Sequence, residues 1–188
     1  MRHPTRLLVL LVLLLAGAVP PAAASSAPPD DVMLLELGLG GGSAGIRSGD
    51  RERSGLAITT RVGGLVRPRL AAEFAIDGWT RSLEGQTLSL SVTTLGLGAY
   101  SADHAFAVHA GVGLARGVAT KPVGNAYAYD AQNGFGASAG AGWTFRPWRT
   151  IGFGPHVGVM WGHIPAAEFH VVDACVSVRW FPPARRTR

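Results

Sequence analysis

The sequence predicts an all-β protein, an antiparallel up-and-down transmembrane β-barrel of about eight strands behind a cleaved leader. Three observations predict it. Hydrophobic residues recur with a period of two, not 3.6, from Val32 onward. The alternate positions hold mostly Gly, Ala and Ser rather than the Lys, Glu and Arg of a water-facing sheet. Aromatic residues gather toward the ends of the alternating segments.

The leader comes first in the chain. Arg2, His3 and Arg6 precede an apolar run from Leu7 to Val19, and Pro20-Pro21 and the small residues Ala22 to Ala27 follow it. A charged start, a short apolar core and an A-x-A-like site describe a secretory signal peptide over residues 1–27. The run is shorter than the ~20 residues a helical membrane span needs. No cysteine follows it, which excludes a lipoprotein anchor.

The barrel is expected over residues 28–181. Its first strand alternates Leu35, Leu37 and Leu39 with Glu36, Gly38 and Gly40. The second places Leu56, Ile58, Thr60 and Val62 opposite Ala57, Thr59 and Arg61. The third sets Leu70, Ala72, Phe74 and Ile76 against Ala71, Glu73, Ala75 and Asp77. In the fourth, Leu88, Leu90 and Val92 form one face, and Leu95 and Leu97 then fall out of step, which predicts a bulge near Thr94. The fifth carries Phe106, Val108, Ala110, Val112 and Leu114, and the sixth Phe135, Ala137, Ala139, Ala141, Trp143 and Phe145. The seventh runs from Ile151 to Trp161 with Pro155 inside it, and the eighth from Val172 to Trp180. Strand lengths of ~9–12 residues follow, which suits a tilted membrane strand. Connections are expected to alternate: short at Leu65–Arg69, Ser101–His104 and Arg146–Thr150, long and polar at Gly41–Ser54, Gly78–Gln86 and Val118–Asn133.

Composition separates this reading from a soluble sandwich. Charged residues are 15% of 188 and hydrophobic residues 47%, with 26 glycines. Lys121 is the one lysine, too few to guard the edges of a soluble sheet. The net charge of +5 comes from Arg2, Arg6, Arg185, Arg186 and Arg188. Without those five, 12 cations meet 12 anions, so no basic face for nucleic acid exists. A single cysteine, Cys175, excludes a disulfide framework, and small lumen filler is its expected role. Gly38 to Gly42 lacks the Lys-Ser/Thr and helix of a phosphate loop.

On this register the lumen holds Glu36, Arg61, Glu73, Asp77, His109, Arg146, His156, Asp173 and Arg179. Eight strands leave room only for side chains, so these groups read as a plug of ion pairs rather than a pore. Arg61 is expected to meet Glu73, and His156 to face Asp173. Two aromatic girdles are expected from Trp79, Tyr100, Phe106, Phe135, Phe145, Phe153, Trp161, Phe169 and Trp180, with Trp148 nearby. His163, Glu168 and His170 lie near the rim, where a metal or a lipid-modifying activity is conceivable. No nucleophilic serine stands beside a histidine, so catalysis is not expected; rim histidines are more often solvated than ligating, so no metal is expected, and no cofactor either.

Over residues 32–181 the chain resembles the small eight-stranded outer-membrane barrels of diderm bacteria, of the OmpA-domain, OmpX and OmpW kind. The alternating pattern carries the resemblance, together with a last strand, Val172 to Phe181, that ends in Trp180-Phe181. That ending resembles the signal read by the barrel assembly machinery. The chain departs from the family in its basic tail, residues 182–188. The resemblance implies a monomer in outer-membrane lipid, with any extracellular ligand at the long loops. Alternatives left open are a lipid-modifying enzyme, a secreted soluble barrel for an apolar ligand, and a small-solute channel.

Overall fold

A computed structural model describes residues 33–47, 49–83, 85–123, 126–148 and 150–181. The proposed leader and basic tail lie outside the described residues. Eight strands follow in order: β1 (Met33–Ile46), β2 (Gly49–Arg67), β3 (Leu70–Leu83), β4 (Gln86–Tyr100), β5 (Phe106–Val123), β6 (Ala126–Trp143), β7 (Ile151–Ile164) and β8 (Ala167–Trp180). Each pairs antiparallel with its neighbour, and β1 pairs with β8 to close the barrel. Closure gives every strand two partners through the middle of the barrel, while the ends of β2, β6 and β7 pair on one side only.

The period-two pattern sorts side chains as its chemistry demands, but inside out relative to a soluble core. Leu37, Leu39, Ile58, Phe74, Leu97, Val112, Leu114 and Val176 stand exposed on the outer surface. Glu36, Arg61, His156 and Arg179 are buried inside. Small residues make this possible. A Cβ on Gly140 would come 2.5 Å from His109 Nε2 and 2.9 Å from His156 Nε2, so the two imidazoles need glycine there.

Two expectations about the strands need correction. The fourth strand has no bulge: its pairing with both β3 and β5 runs without a register shift. The parity is constant, and Leu90 and Val92 point inward while Leu95 and Leu97 point outward. An apolar cluster inside the lumen, described below, is what receives the first pair. The strands are also longer than expected, from 14 to 19 residues.

The long polar connections are therefore absent at Gly41–Ser54, Gly78–Gln86 and Val118–Asn133. Pairing continues through them to Ile46↔Gly49, Leu83↔Gln86 and Val123↔Ala126. Alternating polar and small residues can extend a ladder into water as readily as apolar ones extend it against grease, because the backbone bonds are the same. The extended hairpins all lie at one end, here called the hairpin end. Met33 and Phe181 lie at the other, the terminal end, with the β2–β3, β4–β5 and β6–β7 connections. There Ser101 and His104 close a turn, His104 N–H donating to Ser101 O at 2.9 Å with His104 at a positive φ of 55°. Pro155 sits within β7 opposite Val176, just past the last β6–β7 pair at Gly142↔His156, so it occupies a stretch of β7 with no ladder partner on the β6 side.

Candidate functional site

The lumen gathers buried ionisable side chains, and strand register explains how. Glu36 on β1 is paired with Arg61 on β2 and with Arg179 on β8. All three share inward parity, so one carboxylate lies between two guanidiniums. Glu36 Oε2 accepts from Arg61 Nη1 at 3.2 Å and from Arg179 Nε at 3.0 Å. Arg61 also sits diagonally between Glu73 and Asp77 of β3, with Nε 3.3 Å from Glu73 Oε2 and Nη2 3.8 Å from Asp77 Oδ1. The expected meeting of Arg61 and Glu73 is thus present, within a larger network.

Neutral donors complete it. Tyr100 OH donates to Glu73 Oε1 at 2.6 Å, and Thr59 Oγ1 donates to Asp77 Oδ1 at 2.6 Å. His109 and His156 stack with ring centroids 5.1 Å apart, their Nε2 atoms separated by 3.2 Å. His156 Nδ1 lies 4.0 Å from Asp173 Oδ1, and Cys175 Sγ lies 3.6 Å from the same oxygen. These three side chains are the one group of potential metal ligands found among the described residues. The cavity left between Arg61, Glu73, Thr94 and His109 is about 10 Å³, room for at most one water.

Arg146 stands apart from this network. It lies at the terminal end, where Nη2 donates to Asp103 O at 2.9 Å and the guanidinium covers the Phe181 ring at 4.3 Å. It follows the last residue of β6, so strand parity no longer directs it into the lumen. In the adjoining turn, the Ser101 hydroxyl and the Ala105 N–H donate to Asp103 and hold its carboxyl below the usual range.

Three aromatic expectations are corrected by the structure. Trp79, Tyr100 and Phe169 point into the barrel and are buried. Trp79 Nε1 donates to Gly42 O at 3.1 Å, and Tyr100 serves Glu73. Their parity matches that of Asp77, Gly98 and Asp173 on the same strands, all inward; nearness to a strand end had suggested the girdle instead. Phe106, Phe135, Phe153 and Trp180 are exposed on the outer surface, with Phe145 and Trp161 half-buried. Phe106 packs on Trp143 and Phe135 on Trp161, at 5.9 and 6.2 Å between ring centroids.

The displaced aromatics belong to a layer that pattern reading missed. Toward the hairpin end, Ala44, Trp79, Leu90, Val92, Ala115, Met160, Ile164, Phe169 and Val171 form a buried apolar cluster across the lumen. A smaller cluster of Leu34, Ala71, Tyr100, Ala107 and Phe181 closes the terminal end. The signal was available: Leu88, Leu90 and Val92 share parity with Thr94 and Gly96, which face inward.

Among the described residues the rim residues form no metal-ligand group, although His163 is paired with Glu168 across β7 and β8. Glu168 Oε1 accepts from Trp161 Nε1 at 2.8 Å and Oε2 from Arg47 Nη1 at 2.8 Å. His163 and His170 are exposed on the outer surface.

The sequence matches no protein-family model and no curated protein. The fold does have solved counterparts at low identity. Ail, the attachment invasion locus protein of Yersinia pestis, superposes with a TM-score of 0.62 at 9% identity, covering 81% of this chain and 100% of that one. Its complex with the heparin analogue sucrose octasulfate gives 0.63 at 8% identity over 81% and 100%. Neisserial surface protein A gives 0.58 at 11% identity over 79% and 96%. The chain therefore has the fold of the small eight-stranded outer-membrane barrels.

Proposed function

We propose that this chain is an integral barrel of a bacterial outer membrane, with a filled lumen and a structural or interaction role rather than a catalytic one. The observation that carries the reading is the inverted sorting of side chains around a closed barrel. Leu37, Phe74, Leu97, Val112 and Val176 are exposed outside, while Glu36, Arg61 and Arg179 are sealed within. In water such a surface would attract its own copies; lipid is the solvent that suits it, and closure pairs the backbone groups through the middle of the barrel. The outer-surface pairs Phe106–Trp143 and Phe135–Trp161 then serve as anchors at the two interfaces.

The remaining features fit one route. The leader over residues 1–27 takes the chain through export and is removed. Trp180 and Phe181 close β8 and present the ending that assembly machinery reads, with the basic tail 182–188 beyond it. The barrel works as a monomer. Its external contacts fall to the hairpin end, above all the β5–β6 hairpin, where Arg116 Nη2 donates to Tyr129 OH at 2.8 Å and Lys121 and Tyr127 are exposed. Neither nucleic acid nor a cofactor enters this reading.

Cell fractionation with a gel run on heated and unheated samples tests it. The chain is expected in the outer-membrane fraction and to change mobility on boiling. Release into buffer without detergent contradicts it. Planar bilayers are expected to show no conductance steps, because two apolar clusters and an ion-pair layer cross the lumen.

A further inference from the structure

The geometry points to a buried site for a borderline divalent metal ion of the zinc class, held by His156 Nδ1, the Asp173 carboxylate and Cys175 Sγ on the inner wall between β7 and β8. Register assembles it. His156 is paired with Cys175, and Asp173 lies one inward step along β8. Their ligand atoms lie within 4.8 Å of one another, with Sγ–Oδ1 at 3.6 Å and Nδ1–Oδ1 at 4.0 Å. Tetrahedral zinc bonds of ~2.0–2.3 Å set neighbouring donors roughly 3.3–3.7 Å apart, so shifts of up to about 1 Å close the site.

Two further observations separate this cluster from an ordinary lumen contact. The first is an unspent donor. His156 is 2% exposed and its Nδ1 has no hydrogen-bond partner. The Nε2 atoms of His156 and His109 lie 3.2 Å apart, and in the tautomer where His156 Nε2–H donates, the Nδ1 lone pair faces Asp173 and Cys175. A metal-binding histidine is characteristically oriented in this way, by a bond from its other ring nitrogen. The second is charge. Four carboxylates, Glu36, Glu73, Asp77 and Asp173, share the network with two guanidiniums, Arg61 and Arg179. Four minus two leaves a formal net charge of minus two. Glu36, Glu73 and Asp77 each lie within 4.0 Å of a guanidinium, whereas Asp173 lies beside the His156 imidazole and the Cys175 thiol. A divalent ion supplies that missing charge. Cys175 binds as thiolate and its proton leaves to solvent, which takes the net charge from minus two to minus one. Nitrogen, oxygen and sulfur donors together favour zinc-class ions over calcium or magnesium.

The test uses the full chain folded into detergent micelles with Zn2+ or Co2+ added before folding, so that entry is not limiting. The expected result is one equivalent of zinc per barrel. With cobalt, a thiolate-to-metal charge-transfer band is expected, absent in Cys175→Ser. Asp173→Asn and His156→Gln each weaken binding at least about tenfold; His170→Ala leaves it unchanged. Gel mobility before and after boiling confirms that each variant is folded. Should the variants not fold, alkylation of Cys175 in the native chain decides instead: metal is expected to slow it at least tenfold. An absent cobalt band, a band that survives Cys175→Ser, or alkylation indifferent to zinc overturns the site.

Discussion

The lumen of this barrel is filled in two different ways along its length. Toward the hairpin end, Trp79, Leu90, Val92, Met160, Phe169 and Val171 pack as an apolar core. In the middle, Glu36, Arg61, Glu73 and Arg179 fill the same kind of space with ion pairs. Both layers exclude water, but they fail differently. An apolar layer loses stability in proportion to the volume removed. A charged layer loses most when one partner is removed, because the others remain buried and unpaired. The apolar layer therefore tolerates graded change, and the charged layer acts as a unit.

Trp79→Ala tests the apolar layer with the largest expected effect. It opens a cavity and removes the bond to Gly42, so a loss of about 3–5 kcal/mol is expected in reversible urea unfolding with lipid vesicles. Trp79→Phe should recover most of it; equal losses for both would deny that volume matters there. In the charged layer, Glu36→Gln should cost about 3–5 kcal/mol by stranding Arg179. Combining Glu36→Gln with Arg179→Met should cost less than the two singles added, with a coupling of about 1–3 kcal/mol. Strict additivity would show that the ions do not act as a unit.

Glycine substitutions sharpen the contrast between inside and outside. Gly140→Ala pushes against His109 and His156 and is expected to cost about 1–3 kcal/mol by unfolding. Gly64→Ala meets nothing within 4 Å and should stay within about 0.5 kcal/mol of the parent.

The smallest effect lies at the terminal turn. Burial first, and Arg146 second, hold the His104 imidazole below its ordinary value. The folded state thus favours neutral His104. Its contribution is present above the unfolded pKa of about 6.5 and is lost as pH falls below it. His104→Asn keeps the left-handed turn conformation and should remove that part of the acid sensitivity, read as a smaller drop in melting temperature between neutral and acidic buffer. An unchanged drop would place the sensitivity elsewhere.

Much of this arrangement was legible in residue parity. Glu36, Arg61, Glu73, Asp77, Asp173 and Arg179 are recovered inside the barrel by counting in twos along their strands. The same count, applied to Trp79, Tyr100 and Phe169, puts them inside as well; judging them by distance from strand ends led to the girdle instead. Leu90 and Val92 misled for a related reason. An apolar residue on the lumen face breaks the assumption that grease points outward, and a bulge was the cheaper explanation than a second core. Hairpin length was not legible, because a ladder in water uses the same backbone bonds as one in lipid and leaves no apolar trace. The pairing of His156 with Cys175 depends on the β7–β8 register, which the Ile164–Ala167 turn sets and which alternation alone leaves free to slip by two.

The central claim is that the outer face meets acyl chains while the lumen excludes them. Tryptophan quenching by brominated lipids tests it most directly, using one variant that retains only Trp180 and another that retains only Trp79, the other tryptophans replaced by Phe. Trp180 is 44% exposed on the outer surface and Trp79 is 2% exposed inside. Strong quenching of Trp180 with Trp79 unaffected is the predicted result. Quenching of Trp79 with Trp180 untouched would contradict the account.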